Sequence, residues 1–283
     1  MPLHTDTAMP SPTDAQQETM EAYLSGALSL SAVVLALAEP IETSYTAGEL
    51  ESPDGQSTEG RRLWTLWLNI IGYAKDTLHD DSSTQTALVN LMAALKSRPN
   101  PPPPQGREDL KTGWVWNGSG ELWTDLVIFG PSMRKSWNDT PTGCGHDAIT
   151  AKGWTNLNAF VARLTAAGIQ DFSLYAIWSM RETLETENGA ETLEKLLPAS
   201  AMWVLFAGRQ LHDSEQEWPA HPLKGDPAMG GPHWNGKSGF CKERWALWKT
   251  MFDSITRRSD TNEATKEFAA DAVTAMDAIE HRF

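Results

Sequence analysis

The sequence predicts an all-α fold: an irregular multi-helix bundle of about nine helices with long loops rich in proline and glycine. Three observations predict it. Apolar residues recur at three- and four-residue spacing through long stretches, and capping residues, glycines and prolines fall at the ends of those stretches. No run alternates apolar and polar residues in the way a half-buried strand would. Most of the 13 tryptophans lie within or beside the periodic segments, and each indole N–H needs an acceptor when buried.

The first helix is expected from Thr13 to Ala38, with Met20, Tyr23, Leu24, Ala27, Leu28 and Leu35 setting its rhythm and Pro40 stopping it. A loop containing Gly48, Pro53 and Gly55 follows. The second helix runs from Glu59 to Leu78 on Leu63, Trp64, Trp67, Leu68 and Ile71. The third opens at Ser82 in a capping box with Gln85 and buries Leu88, Leu91, Met92 and Leu95. Pro99 and the run Pro101–Pro104 end it, since proline lacks the amide donor and restricts the residue before it.

Gly113–Trp116 reads as extended, and residues 121–129 and 132–137 read as short helices broken at Gly130 and Pro131. Residues 139–152 form a loop. Helices follow at 154–167, closed by Gly168, at 171–187, closed by Asn188 and Gly189, and at 190–197, continuing past Pro198 to His212. A Pro- and Gly-rich loop occupies 213–238. Helices at 240–258 and 261–281 complete the chain, the last opened by Asp260 and Glu263. In domain terms, residues 1–12 are a disordered acidic start, 13–98 a helical part and 99–112 a proline-rich linker. Residues 113–283 form a tryptophan-rich part continuous with 13–98.

The net charge is −14, and residues 1–60 hold ten Asp or Glu with no Lys or Arg. Nucleic acids and anionic membranes select basic surfaces, so neither is an expected partner. The first residues lack the basic stretch of a secretory signal, and the apolar run Leu28–Ala38 is short for a membrane span. With only two cysteines, Cys144 and Cys241, the chain fits a reducing compartment, and the expectation is a cytoplasmic protein without membrane insertion.

Gly231–Ser238 satisfies the phosphate-loop pattern, with Lys237 in place. That pattern works only when a buried strand feeds the loop, and residues 221–230 contain two prolines and almost no β-branched residues. A glycine-rich loop capping the next helix is the preferred reading, and a nucleotide binder the remote alternative. Cys144 and His146 have no second pair at zinc spacing, so no metal is expected. His79, Asp80 and Asp81 resemble the start of an aspartate-rich diphosphate motif, but position 84 is threonine, and helix capping explains them. Glu121 and Asp125 stand one helical turn apart. No cofactor is expected.

The stretches Gly113–Trp116, Leu122–Leu126, Phe129–Arg134, Trp137–Asn138, Asn156–Gly168, Asp171–Trp178 and Glu243–Lys249 combine rare residues in order. In these the chain resembles the fungal family catalogued as domain of unknown function 3632, also called OpdG-like, from about Arg61 to the C-terminus. The resemblance implies, for some members, work beside polyketide or terpenoid enzymes, and it brings no catalytic residues with it.

Two functions are expected in competition. In the first, the helices enclose a hydrophobic small metabolite of specialised metabolism, and any catalysis is a cofactor-independent cyclisation or isomerisation. Asp125 and Arg134 are then the catalytic candidates, and Trp114, Trp116, Trp123, Trp137, Arg163, Tyr175, Trp178, Arg181, Trp203 and Arg209 the ligand-binding ones. In the second, the protein is a helical interaction or dimerisation module, its tryptophans serving as core and interface anchors, with a homodimer as the simplest form.

Overall fold

The computed structural model describes residues 14–48, 60–106, 120–143, 149–218, 220, 222 and 225–281, without the side chains of residues 60 and 61. Among them are ten helices and no strand: α1 Asp14–Leu24, α2 Leu30–Thr46, α3 Gly60–Asp76, α4 Ser82–Lys96, α5 Phe129–Trp137, α6 Ala151–Ala166, α7 Ser173–Leu184, α8 Ala190–Asp213, α9 Lys242–Thr256 and α10 Glu263–Glu280. The all-α class is as the periodicity predicts. Gly113–Trp116 and the Cys144–His146 loop lie outside the described residues. None of the described helices is long and apolar enough to cross a membrane.

Several boundaries differ from the predicted ones. The single first helix is two, α1 and α2, because Gly26 takes a φ of +80° and Ser29 caps α2 by accepting from the Ala32 amide. Pro40 lies inside α2, where the buried neighbours Ala38 and Ile41 hold the turn despite the missing donor. Pro131 likewise lies within the first turn of α5, where a proline removes no intrahelical bond. At the starts of α4 and α10 the capping atoms come from Asp81, which accepts from the Thr84 amide at 3.0 Å, and Asn262, which accepts from Thr265 at 2.8 Å. Gln85 instead turns back to donate to the Thr77 carbonyl, and Asp260 pairs with Arg258.

The chain divides into two compact units, residues 1–73 with 86–138, and residues 74–85 with 139–283. In the first, α1 packs on α2, and an aromatic cluster forms where Trp67 meets Trp123 edge-on at 6.4 Å and Phe129 at 5.3 Å. The Trp67 indole donates to the Val127 carbonyl and the Trp123 indole to Glu42. Arg98 clamps the same Glu42 with two nitrogens and holds its carboxyl below the usual range. Asn100, in the proline-rich segment, accepts from the Trp123 and Thr124 amides. Leu126 and Ile128 take left-handed φ angles of 46° and 68°, so residues 121–128 form tight turns instead of the predicted helix.

In the second unit α8 is the central rod, with α6, α7 and α10 packed against it and α9 against α7 and α10. Its internal Pro198 lies in a buried run from Leu196 to Val204, and this packing carries one helix through the proline, in line with the predicted continuation to His212. Gly208 sets the approach of α10, because a Cβ there would stand 2.6 Å from Ile279. A polar seam crosses the apolar interior: buried Asn158 accepts from the Trp203 indole at 2.8 Å and from the Ser179 hydroxyl at 3.1 Å, while Ser200 donates to Thr183 at 2.8 Å. Trp245 and Lys249 of α9 both reach Glu280 of α10.

Replacing Asn262 by alanine should lower stability by about 1 kcal/mol, as loss of a helix cap does, with Asp260→Ala costing clearly less. Urea unfolding of the two variants checks the assignment, and the reverse order would restore the Asp260 box.

Candidate functional site

The side chains of α6 grip the connection between α3 and α4. Asn156 and Arg163 are seven residues apart on α6 and share one face. Asn156 accepts from the His79 amide and donates to the Lys75 carbonyl, both at 2.8 Å, so one amide satisfies a carbonyl in the last turn of α3 and the N–H beyond it. Arg163 donates to the His79 carbonyl at 2.9 Å and to its own helix at Ala159 at 3.2 Å. Its guanidinium carbon lies 3.4 Å above the centroid of the Phe206 ring, on α8. The His79 ring stands 5.4 Å from that of Phe268, on α10.

The electrostatics of this cluster are unusual. Arg163 is half-buried, and no described carboxylate lies within ion-pairing distance. Burial pulls its pKa down to about 10. Burial also lowers His79, with Arg163 adding to the effect and Asp80 opposing it. Lys75 is lowered by burial too, against Asp139 and Asp76. A guanidinium has five N–H donors, and two bonds to carbonyls leave three for an acceptor from outside. The arrangement can hold an anion.

A second polar node has the opposite character. Glu185, just past α7, and Arg244 of α9 are both fully buried and joined by two bonds of 2.6 and 2.9 Å. The remaining carboxylate positions take the Trp248 indole and the Gly231 amide, both at 2.7 Å. Arg244 further donates to the Ala228 and Gly239 carbonyls, and the Glu185 carbonyl accepts from the His233 amide. Every strong position of this ion pair is used internally.

That node also explains the phosphate-loop pattern. A Cβ at Gly231 would come 2.7 Å from the Glu185 carbonyl oxygen, one at Gly236 would strike the Trp234 ring, and Gly239 has a φ of +89° beside Gln216. The glycines answer to packing around Glu185, Trp234 and Gln216. Lys237 points its ammonium at Glu217, 2.8 Å away, and α9 starts only after Cys241.

The other predicted residues are spread through both units. Asp125 accepts from the Glu121 amide, and Arg134 is exposed on the last turn of α5. Both belong to the first unit, with buried Trp123 and Trp137. Trp114 and Trp116 lie outside the described residues. In the second unit Tyr175 stacks on Trp178 at 4.7 Å, but the Trp178 indole is committed to the Pro227 carbonyl and Arg181 to that of Met229. Trp203 is enclosed, and exposed Arg209 faces Asp213 at 3.8 Å. Arg163 is thus the predicted residue with a desolvated charge and no described counter-ion. His79 entered the sequence reading only as a capping segment, and Asn156, Phe206, Glu185 and Arg244 were not singled out as site residues. The seven-residue interval, which sets Asn156 and Arg163 on one face of the helix, was the available signal.

A family model described as "Protein of unknown function (DUF3632)" matches residues 67–252, more than half of the chain. The chain belongs to this family. The match takes in α4 to α8 and most of α9, and with them Lys75, His79, Asn156, Arg163, Phe206, Glu185 and Arg244. No curated protein and no solved structure matches the chain.

Two expectations follow. Glu185→Gln should cost about 3–5 kcal/mol, because it leaves a buried guanidinium without its counter-ion, whereas Glu185→Leu combined with Arg244→Met should cost less than the two single changes together. Equilibrium denaturation of the wild type, Glu185→Gln, the two single variants and the double variant checks this, and full additivity would contradict it. For His79 the folded pKa lies below the unfolded value near 6.5. The unfolded chain therefore takes up more protons, and this residue's contribution, complete above that pH, is lost as pH falls through the lower folded value. Urea midpoints between about pH 7.5 and 5 should fall less steeply in His79→Gln than in the wild type; equal slopes would remove His79 from the account.

Proposed function

We propose that this protein is a small-molecule-binding protein whose ligand is a largely apolar metabolite carrying a carboxylate, anchored by Arg163. One observation carries the reading: a half-buried guanidinium stacked on Phe206 and lacking a described carboxylate partner. A charge removed from water without a partner is costly, and a carboxylate ligand offsets that cost through a two-point, charge-assisted hold. The neighbouring rings of Phe206 and Phe268 suit an apolar body. The reading assigns binding and no bond-making step to Asp125 or Arg134.

The tryptophans support a structural role within this reading. Indole N–H groups of Trp67, Trp123, Trp178, Trp203, Trp234, Trp245 and Trp248 are each bonded to an acceptor of the same chain. Ligand orientation therefore falls to charged groups.

The family's resemblance-based link to polyketide and terpenoid enzymes guides the choice of probes toward aromatic acids. With 1-naphthoate at about a hundredfold excess over Kd, the wild type should gain about 2.7 kcal/mol, read as a rise in Tm. The neutral methyl ester should give no rise, and Arg163→Gln should lose the response to the acid. Equal responses to acid and ester, or an unchanged response in the variant, would return the protein to the interaction-module reading.

A further inference from the structure

We infer that His79 is the second anion-facing group of the Arg163 site, and that the carboxylate ligand is bound together with one proton taken up by the His79 imidazole. The inference rests on the Arg163 reading and adds the proton and the residue that receives it.

The geometry begins with the shared residue. The guanidinium is hydrogen-bonded to the main chain of the residue that carries the imidazole, at 2.9 Å, and the two side chains interact electrostatically. The groups around the imidazole come from each packed element. Asp80 in its own turn favours the cation, Arg163 on α6 opposes it, Asn156 on α6 supplies a favourable hydrogen bond, and α10 presents the uncharged ring of Phe268. Without ligand the balance lies with the neutral ring, because burial and the neighbouring guanidinium act in the same direction.

A carboxylate on Arg163 changes both opposing influences. It cancels the guanidinium's field at the ring, and it offers a negative acceptor. The neutral imidazole has one N–H donor and the imidazolium two, so protonation adds a donor where an anion has arrived. The proton comes from solvent, and no bond of the ligand is made or broken. A neutral ligand of the same shape would take up no proton. The site therefore distinguishes an acid from its ester twice, once at Arg163 and once at His79.

The test uses the full chain and 1-naphthoate, which stays ionised throughout the range because carboxyl groups titrate near pH 4. Its affinity should strengthen severalfold between pH 8 and pH 5.5, toward the limit of about tenfold set when the anion raises the histidine pKa by about one. Calorimetry in two buffers of different ionisation enthalpy should show net proton uptake. The NMR titration midpoint of the His79 imidazole, assigned by its disappearance in His79→Gln, should move upward when the probe is added. The His79→Gln protein should flatten the pH dependence, and if that variant does not fold, the other histidine variants assign the resonance by elimination and the wild-type titration decides.

If 1-naphthoate binds, Arg163→Gln abolishes binding, and the His79 midpoint stays fixed with a flat pH profile, the proton-coupled role of His79 is overturned while the Arg163 reading stands. If the probe fails to bind the wild type at either pH, both are overturned.

Discussion

The interior of the second unit is arranged around the ion pair of Glu185 and Arg244. A buried carboxylate is tolerated only when its acceptor positions are filled, and here the partners come from two separate places: Arg244 and Trp248 on α9, and Gly231 in the long loop. Arg244 is subject to the same demand and meets it with loop carbonyls at Ala228 and Gly239. The loop is thereby fixed by two charges and not by an apolar face of its own. Isolated buried ion pairs contribute little net stability compared with well-packed apolar groups. What this pair contributes is a unique path for a segment that has no regular structure to define it.

Two arginines of the same unit show how differently one side chain can be used. Arg244 is completely enclosed, with a carboxylate and main-chain oxygens around it. Arg163 is less enclosed, yet among the described residues its charge is met by carbonyls and the face of a phenyl ring. The first arrangement is closed, since its strongest acceptor is already present. The second retains donor capacity in surroundings that strengthen any ionic bond formed there. Burial alone does not separate the two residues; the acceptors already present around each guanidinium do.

Helix type was legible wherever the apolar stripe was long, as in α3 with Leu63, Trp67, Ile70 and Ala74 all buried. Ends and breaks were less so. Pro40 was read as a stop by its local chemistry, and tertiary packing overrode it, whereas the continuation read past Pro198 matches the helix. Capping failed differently: Asp81 and Asn262 stood beside the residues named as caps, and which one bonds depends on a dihedral that the sequence does not display. At the site, Arg163 was legible as a charged residue within a largely buried helix pattern. That no described carboxylate pairs with it was not, because that depends on α8, α10 and the turn before α4, none of them near it in sequence.

The grip on the turn between α3 and α4 has a consequence for how freely that turn can change. Asn156 touches the carbonyl of Lys75 and the amide of His79, Arg163 the carbonyl of His79, and Gln85 the carbonyl of Thr77. All four bonds end on main-chain atoms, which every residue type except proline at the amide position supplies equally. The anchoring residues on α6 and α4 are therefore constrained in identity, while the segment they hold is constrained chiefly in shape. Such a division lets the chemistry displayed beside Arg163 be altered one residue at a time, with the turn kept in place by contacts that do not read its side chains.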